Sequence, residues 1–116
     1  MRDDGFLGKK NASDLFIDGT MKRFFVYMLC NRPFGSLYVG VTSDLVKRAY
    51  EHRSKAVEGY TKQKDIHRLV YYETFDRAED AISHEKKLKR WKRDWKFNLI
   101  ARANPHWDDL YPQLFK

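Results

Sequence analysis

Residues 37–52 read LYVGVTSDLVKRAYEH. Leu37–Val41 is a short run of β-branched and aromatic residues, a strand signal. Directly after it, Thr42 or Ser43 is placed to cap a helix, with Asp44 in the first turn, where the helix dipole favours an anion. That helix runs to about Ser54, with Leu45, Ala49 and His52 close to one face. Arg48 and His52 are four residues apart and so point the same way. A strand thus feeds straight into a helix that carries an arginine and a histidine on neighbouring turns.

Working outward, Phe24–Cys30 is a compact apolar and aromatic run that reads as a buried strand. The turn formers of Asn31–Ser36 join it to Leu37–Val41, so the two form a hairpin with a longer loop. Residues 55–67 are polar, contain Gly59 and Tyr60, and read as a loop. Arg68–Phe75 is a third strand. Asp76 can cap a long helix, and a second helical segment reaches roughly Ala103, where Asn104-Pro105 stops it. The order β-β-α-β-α-α gives an α/β fold, a small and mainly antiparallel three-stranded sheet flanked by helices. Residues 1–20 differ from the rest, with three glycines, a slight acidic excess and no clean period. They read as a flexible tail ahead of a single domain over 21–116.

The chain has 116 residues, one domain by length, and a formal charge of +7. Such a field favours polyanions, nucleic acid before an anionic membrane surface. The longest apolar run, Phe24–Cys30, is too short to span a bilayer, and no signal peptide is visible. A single cysteine, Cys30, makes no internal disulfide, which fits a reducing cytoplasm. Cytoplasmic location is therefore the expectation. Asn11-Ala12-Ser13 spells a glycosylation acceptor, which chance explains in a chain without a secretion signal.

Residues 83–96, SHEKKLKRWKRDWK, concentrate the charge. Over 84–102 eight lysines and arginines face only Glu85 and Asp94. A solvated helix normally mixes signs, so phosphate binding is the better explanation of this one. Lys86, Lys89, Arg90, Lys92 and Arg93, with Lys62 from the preceding loop, are the candidate nucleic-acid contacts. The apolar positions Ala78, Ala81, Ile82, Leu88, Trp91, Trp95 and Leu99 follow one helical stripe, and Glu85 lies on it. Two readings stay open for Glu85. It sits at the edge of the stripe and pairs with Lys89 at i+4, or it projects into a cleft between helix and sheet.

Other constellations fail on spacing. His84-Glu85 opens like a zinc-protease helix, but the fifth residue of that motif is Leu88. His52, His67, His84 and His106 have no ligand spacing with Cys30. There is no Gly-rich phosphate loop and no nucleophile elbow. Cys30 and the three tryptophans read as packing residues, with contact to a sugar or base as the alternative for Trp91 and Trp95.

Taken together, Phe25-Val26-Tyr27 on the first strand, Leu37–His52, Leu69–Glu73, Ala81…Glu85-Lys86-Lys87-Leu88-Lys89 and Asn104–Leu110 resemble the GIY-YIG nuclease superfamily, in particular its small stand-alone bacterial members. The likeness covers about residues 22–110. It implies a metal-dependent endonuclease that hydrolyses DNA phosphodiester bonds in repair or processing. It places Tyr27 and Tyr38 at the two motif tyrosines and Arg48 at the arginine of the following helix. Glu85 falls at the single metal-ligating glutamate, and His52 at a position occupied by histidine or tyrosine. The first motif lacks its leading glycine here. An assisting asparagine is expected about a dozen residues after the glutamate, where Asn98 is near.

The residue types suit that reaction. Mg²⁺ (or Mn²⁺) takes one or two carboxylates and keeps several waters, so one glutamate is a sufficient anchor. Arginine holds a phosphate through paired hydrogen bonds that lysine cannot copy. A free tyrosine has a pKa near ~10 and must be shifted far to act as a base, whereas a histidine starts near ~6.5. The resemblance favours Tyr27 as base or water-orienting group, Tyr38 as positioning the nucleophile, and His52 as assisting. The expected partner is DNA, with branched or single-stranded forms as candidates, and no membrane or small-molecule cofactor. The alternative is a non-catalytic nucleic-acid-binding module that keeps the fold and the basic helix. Amphipathic membrane attachment is disfavoured because the helix's apolar face is needed for the core.

Overall fold

A computed structural model describes residues 16–17, 20–21, 23–56 and 59–115. The expected N-terminal tail lies largely outside the described residues; within it Phe16–Ile17 pairs antiparallel with Thr20–Met21. The domain then runs β1 (Phe24–Cys30), β2 (Leu37–Thr42), α1 (Leu45–Arg53), α2 (Tyr60–Gln63), β3 (Arg68–Phe75), α3 (Ala78–Arg90) and α4 (Arg93–Ala103), and ends in a 3₁₀ turn at Tyr111–Phe115. The three strands form one antiparallel sheet in the order β2-β1-β3. β1 is central, and Tyr27 stands opposite Gly40 on one side and Tyr72 on the other.

Strand alternation sends the two halves of β1 to different layers. Phe24, Val26, Met28 and Cys30 pack with Val39, Val41 and Val70 against Ala81 and Leu88 of α3 and Ile100 of α4, with Trp107 closing the layer. Tyr27 and Leu29 face the other way, into a smaller cluster with Tyr38, Leu45, Ile66 and Leu69. α1 covers this second layer through Leu45, Ala49 and His52, the three residues that its spacing puts on one face.

The helix ends depart from the sequence expectations in instructive ways. Asp44 is itself the N-cap of α1, accepting from Lys47 N at 3.1 Å, while Thr42 Oγ1 accepts from Asp44 N at 3.1 Å. The threonine thus orients the cap instead of being it. Asp76 does not cap α3; it pairs with Arg23 at the surface, and the cap position is Arg77, whose side chain makes no capping hydrogen bond. Residues 55–67 are not wholly loop, because Tyr60–Gln63 makes one helical turn that no periodicity in four residues can announce. Between α3 and α4, Trp91 and Lys92 adopt extended conformations (φ −64°, ψ 148° and φ −59°, ψ 151°). Two extended residues break the helical register, so the expected stripe does not continue through Trp95. That indole is 53% exposed. No described helix is long and apolar enough to cross a membrane.

Candidate active site

Tyr27 is fully buried on the α1 side of the sheet because its parity on β1 aims it there. Gly40, its partner across β2, leaves the space the phenol occupies: a Cβ at residue 40 would lie 2.5 Å from Tyr27 Cζ and Oη. The glycine therefore serves close approach of a ring to the backbone. Tyr38, two residues earlier on β2 and so on the same face, holds its ring 6.2 Å from that of Tyr27.

α1 brings His52 onto this pair. Its Nε2 is 3.1 Å from Tyr27 Oη, and its ring centroid is 5.2 Å from that of Tyr38. On its other side, Nδ1 is 3.1 Å from the hydroxyl of Thr61, a buried residue of α2. Burial, reinforced by the Arg48 charge, pushes the His52 pKa down from 6.5 to about 4. The ring is therefore neutral near pH 7, with one nitrogen donating and the other accepting. The shift makes the imidazole a weak proton acceptor. Thr61 is the residue that the sequence did not single out. Its only signal is a small hydroxyl in a polar stretch, and the contact to His52 crosses between two separate helices.

Arg48, one turn before His52, is half-buried and donates from Nη1 to Glu51 Oε1 at 2.9 Å. The carboxylate fixes the direction of the guanidinium within the same helix. The structure thus brings Tyr27, Tyr38, His52 and Arg48 into one neighbourhood. Cys30 lies in the opposite layer, where burial pushes its thiol up to about 11, an inert packing residue.

Glu85 occupies the α3 stripe between Ala81 and Leu88, on the helix that packs against the even-numbered residues of β1. It is 1% exposed. Lys89 Nζ lies 2.8 Å from its Oε2, an ion pair whose angles do not make a hydrogen bond, and among the described residues neither carboxylate oxygen accepts one. The i+4 pairing with Lys89 is real, and so is the burial, which an edge position does not explain. A carboxylate held out of water, with Lys89 against one oxygen and no partner among the described residues on the other, suits a hard cation. Among the described residues no group of three His, Cys, Asp or Glu side chains converges on a point, so a cation at Glu85 would take its remaining ligands from water or substrate.

The basic residues divide by what they touch. Lys62, Lys86, Arg90 and Lys92 are exposed. Lys89 is shared with Glu85. Arg93 donates to the carbonyls of Phe34 and Gly35 at 3.1 and 2.6 Å, which ties the start of α4 to the β1–β2 loop and gives this arginine a structural duty. Asn98 stands on the outer face of α4, exposed, beside Trp91 and Trp95.

The family model of the GIY-YIG catalytic domain matches residues 23–98. The chain is 33% identical over 83 residues to a UPF0213 protein of Staphylococcus saprophyticus, a match that covers 72% of this chain and all of the relative. A UPF0213 protein of Staphylococcus epidermidis is 35% identical over 84 residues, again across 72% of this chain and all of the relative. The solution NMR structure of a UPF0213 protein from Bacillus halodurans is 29% identical, with a TM-score of 0.48, over 75% of this chain and 92% of that one.

Proposed function

The chain belongs to the GIY-YIG nuclease superfamily, and from that premise we propose that it is a divalent-metal-dependent endonuclease hydrolysing DNA phosphodiester bonds, in repair or processing. The observation that carries this reading is Glu85, a buried carboxylate with Lys89 as its single ion-pair partner among the described residues, on the helix that bears the basic run. Glu85 is the residue that would hold Mg²⁺ or Mn²⁺, and the ion would supply Lewis-acid stabilisation of the departing oxygen.

The chain's own residues take the other roles. Arg48, pre-oriented by Glu51, presents its guanidinium to a phosphate oxygen. His52, neutral at working pH, serves Tyr27 as a fixed hydrogen-bond partner and not as its base. Moving the phenolic proton onto an imidazole with a pKa of about 4 is strongly uphill, so His52 does not turn Tyr27 into a base, and Tyr27 orients an attacking water once substrate binding opens its enclosed site. Tyr38 lies beside it on the same face and positions the nucleophile. Lys86, Arg90, Lys92 and Lys62 draw in the phosphate backbone.

The test is cleavage of single-stranded, duplex and forked DNA with Mg²⁺ or Mn²⁺, wild type beside Glu85→Gln. Wild type should cut at least one form, and the variant should be slower by roughly a hundredfold or more while binding DNA as before. Equal cleavage by the two proteins would sink the proposal. Two observations, the complete enclosure of Tyr27 and the Lys89 partner of Glu85, favour a second reading, a nucleic-acid-binding module that does not cut. That module binds with the same salt sensitivity and shows no turnover with any ion.

A further inference from the structure

On the outer face of α4, Trp91, Trp95, Asn98, Leu99 and Arg102 line a cavity of about 210 Å³. Trp95, Asn98, Leu99 and Arg102 share one face of α4 at spacings of three and four, and Trp91, from the extended junction before the helix, closes the cavity beside them. The exposed Trp95 indole stands edge-to-face with Trp91, ring centroids 5.8 Å apart and planes at 81°. Beside the cavity, the half-exposed indole and its neighbouring ring offer an aromatic surface to a ligand.

The chemistry of that ligand follows from what surrounds the rings. Arg102 offers only donors, and Asn98 offers both donors and an acceptor. Lys92 and Lys96 are neighbours of Trp91 and Trp95 in the chain, and Asp94 is the one carboxylate on α4. Lys96 has its pKa lowered, by burial first and then by the nearby charges of Arg93 and Lys89. An apolar peptide would gain from the tryptophans and nothing from the cations. A nucleobase gains from both, through stacking on the indole, polar contact at its edge and its own phosphate among the lysines. Bases inside a duplex are already stacked and cannot present a face.

We propose that the cavity formed by Trp95, Asn98 and Arg102 of α4 with Trp91 of the preceding junction is a binding site for an unpaired nucleobase, which makes single-stranded or flapped nucleic acid the preferred substrate. This rests on the nucleic-acid-processing reading above and adds a substrate class to it.

The experiment measures binding of oligo(dT) and of a duplex of equal length by fluorescence anisotropy, without divalent ions, for wild type, Trp95→Ala and Trp95→Phe. Because Trp95 is half in solvent, both variants should fold, as circular dichroism will check. Single-strand affinity should fall roughly 5- to 100-fold in Trp95→Ala, stay near wild type in Trp95→Phe, and duplex affinity should not move in either. Trp emission should be quenched by oligo(dT) in wild type. Equal losses on both DNA forms, no loss on either, or a dimer in sedimentation that Trp95→Ala dissolves would each overturn the site. Failure of the nuclease reading is distinguishable: a protein that binds oligo(dT) through Trp95 but never cuts keeps this site and loses only the catalytic assignment.

Discussion

Enclosing the His52 imidazole between Tyr27 and Thr61, with Arg48 nearby, holds its pKa at about 4, whereas the unfolded chain takes up that proton near 6.5. The folded state therefore resists protonation. The contribution of this group to stability is complete above pH 6.5, falls as pH drops from 6.5 towards 4, and is lost below that. The full span is about 3 kcal/mol. Urea unfolding of wild type at pH 7.5, 6, 5 and 4.5, compared with His52→Gln, should show this loss in wild type and a flatter profile in the variant over the same window. Thr61→Val leaves Nδ1 without its partner and should cost about 1–3 kcal/mol at pH 7, which Thr61→Ser should restore. The resemblance pointed to Tyr27 and Tyr38, their shared face follows from the β1–β2 register, and the i+4 spacing made the Glu85–Lys89 pair legible. Thr61 was not legible, because its partner lies nine residues away across a change of element.

The elements themselves were mostly plain in the sequence where a period has room to repeat. The three strands begin and end within a residue of the apolar runs that predict them. What escaped were features decided by geometry at junctions, such as the extended pair Trp91-Lys92, which contains neither glycine nor proline. Asn104 shows how much one junction residue can hold. It ends α4, donates from Nδ2 to Val70 O at 3.1 Å and Asp108 O at 2.9 Å, and accepts from Asp108 N at 3.1 Å, all while buried. Asparagine before proline reads only as a stop signal, yet here it stitches the helix end to β3. Asn104→Ala should cost about 2–3 kcal/mol, since it leaves the Val70 carbonyl and the Asp108 amide unsatisfied. Thermal and urea unfolding will check it, and a loss under half a kcal/mol would contradict the accounting.

For the molecule as a whole, charge and stability are both unevenly spread. Eight cations against two carboxylates over residues 84–102 give the +7 chain a directed field, which sets from which side a polyanion approaches. Stability is graded along the site instead. Tyr27 belongs to a strand paired on both sides, where amides exchange only when the entire sheet comes apart. Thr61 belongs to a four-residue turn with no side-chain cap, between exposed neighbours, which opens at small cost. One end of the Tyr27–His52–Thr61 chain is thus welded to the last part of the protein to melt and the other is pinned to one of the first. Warming should silence the site while the sheet is still intact. Amide exchange at residues 61–64 should be orders of magnitude faster than at 26–29, and a working enzyme should stop at a temperature below the one at which it unfolds.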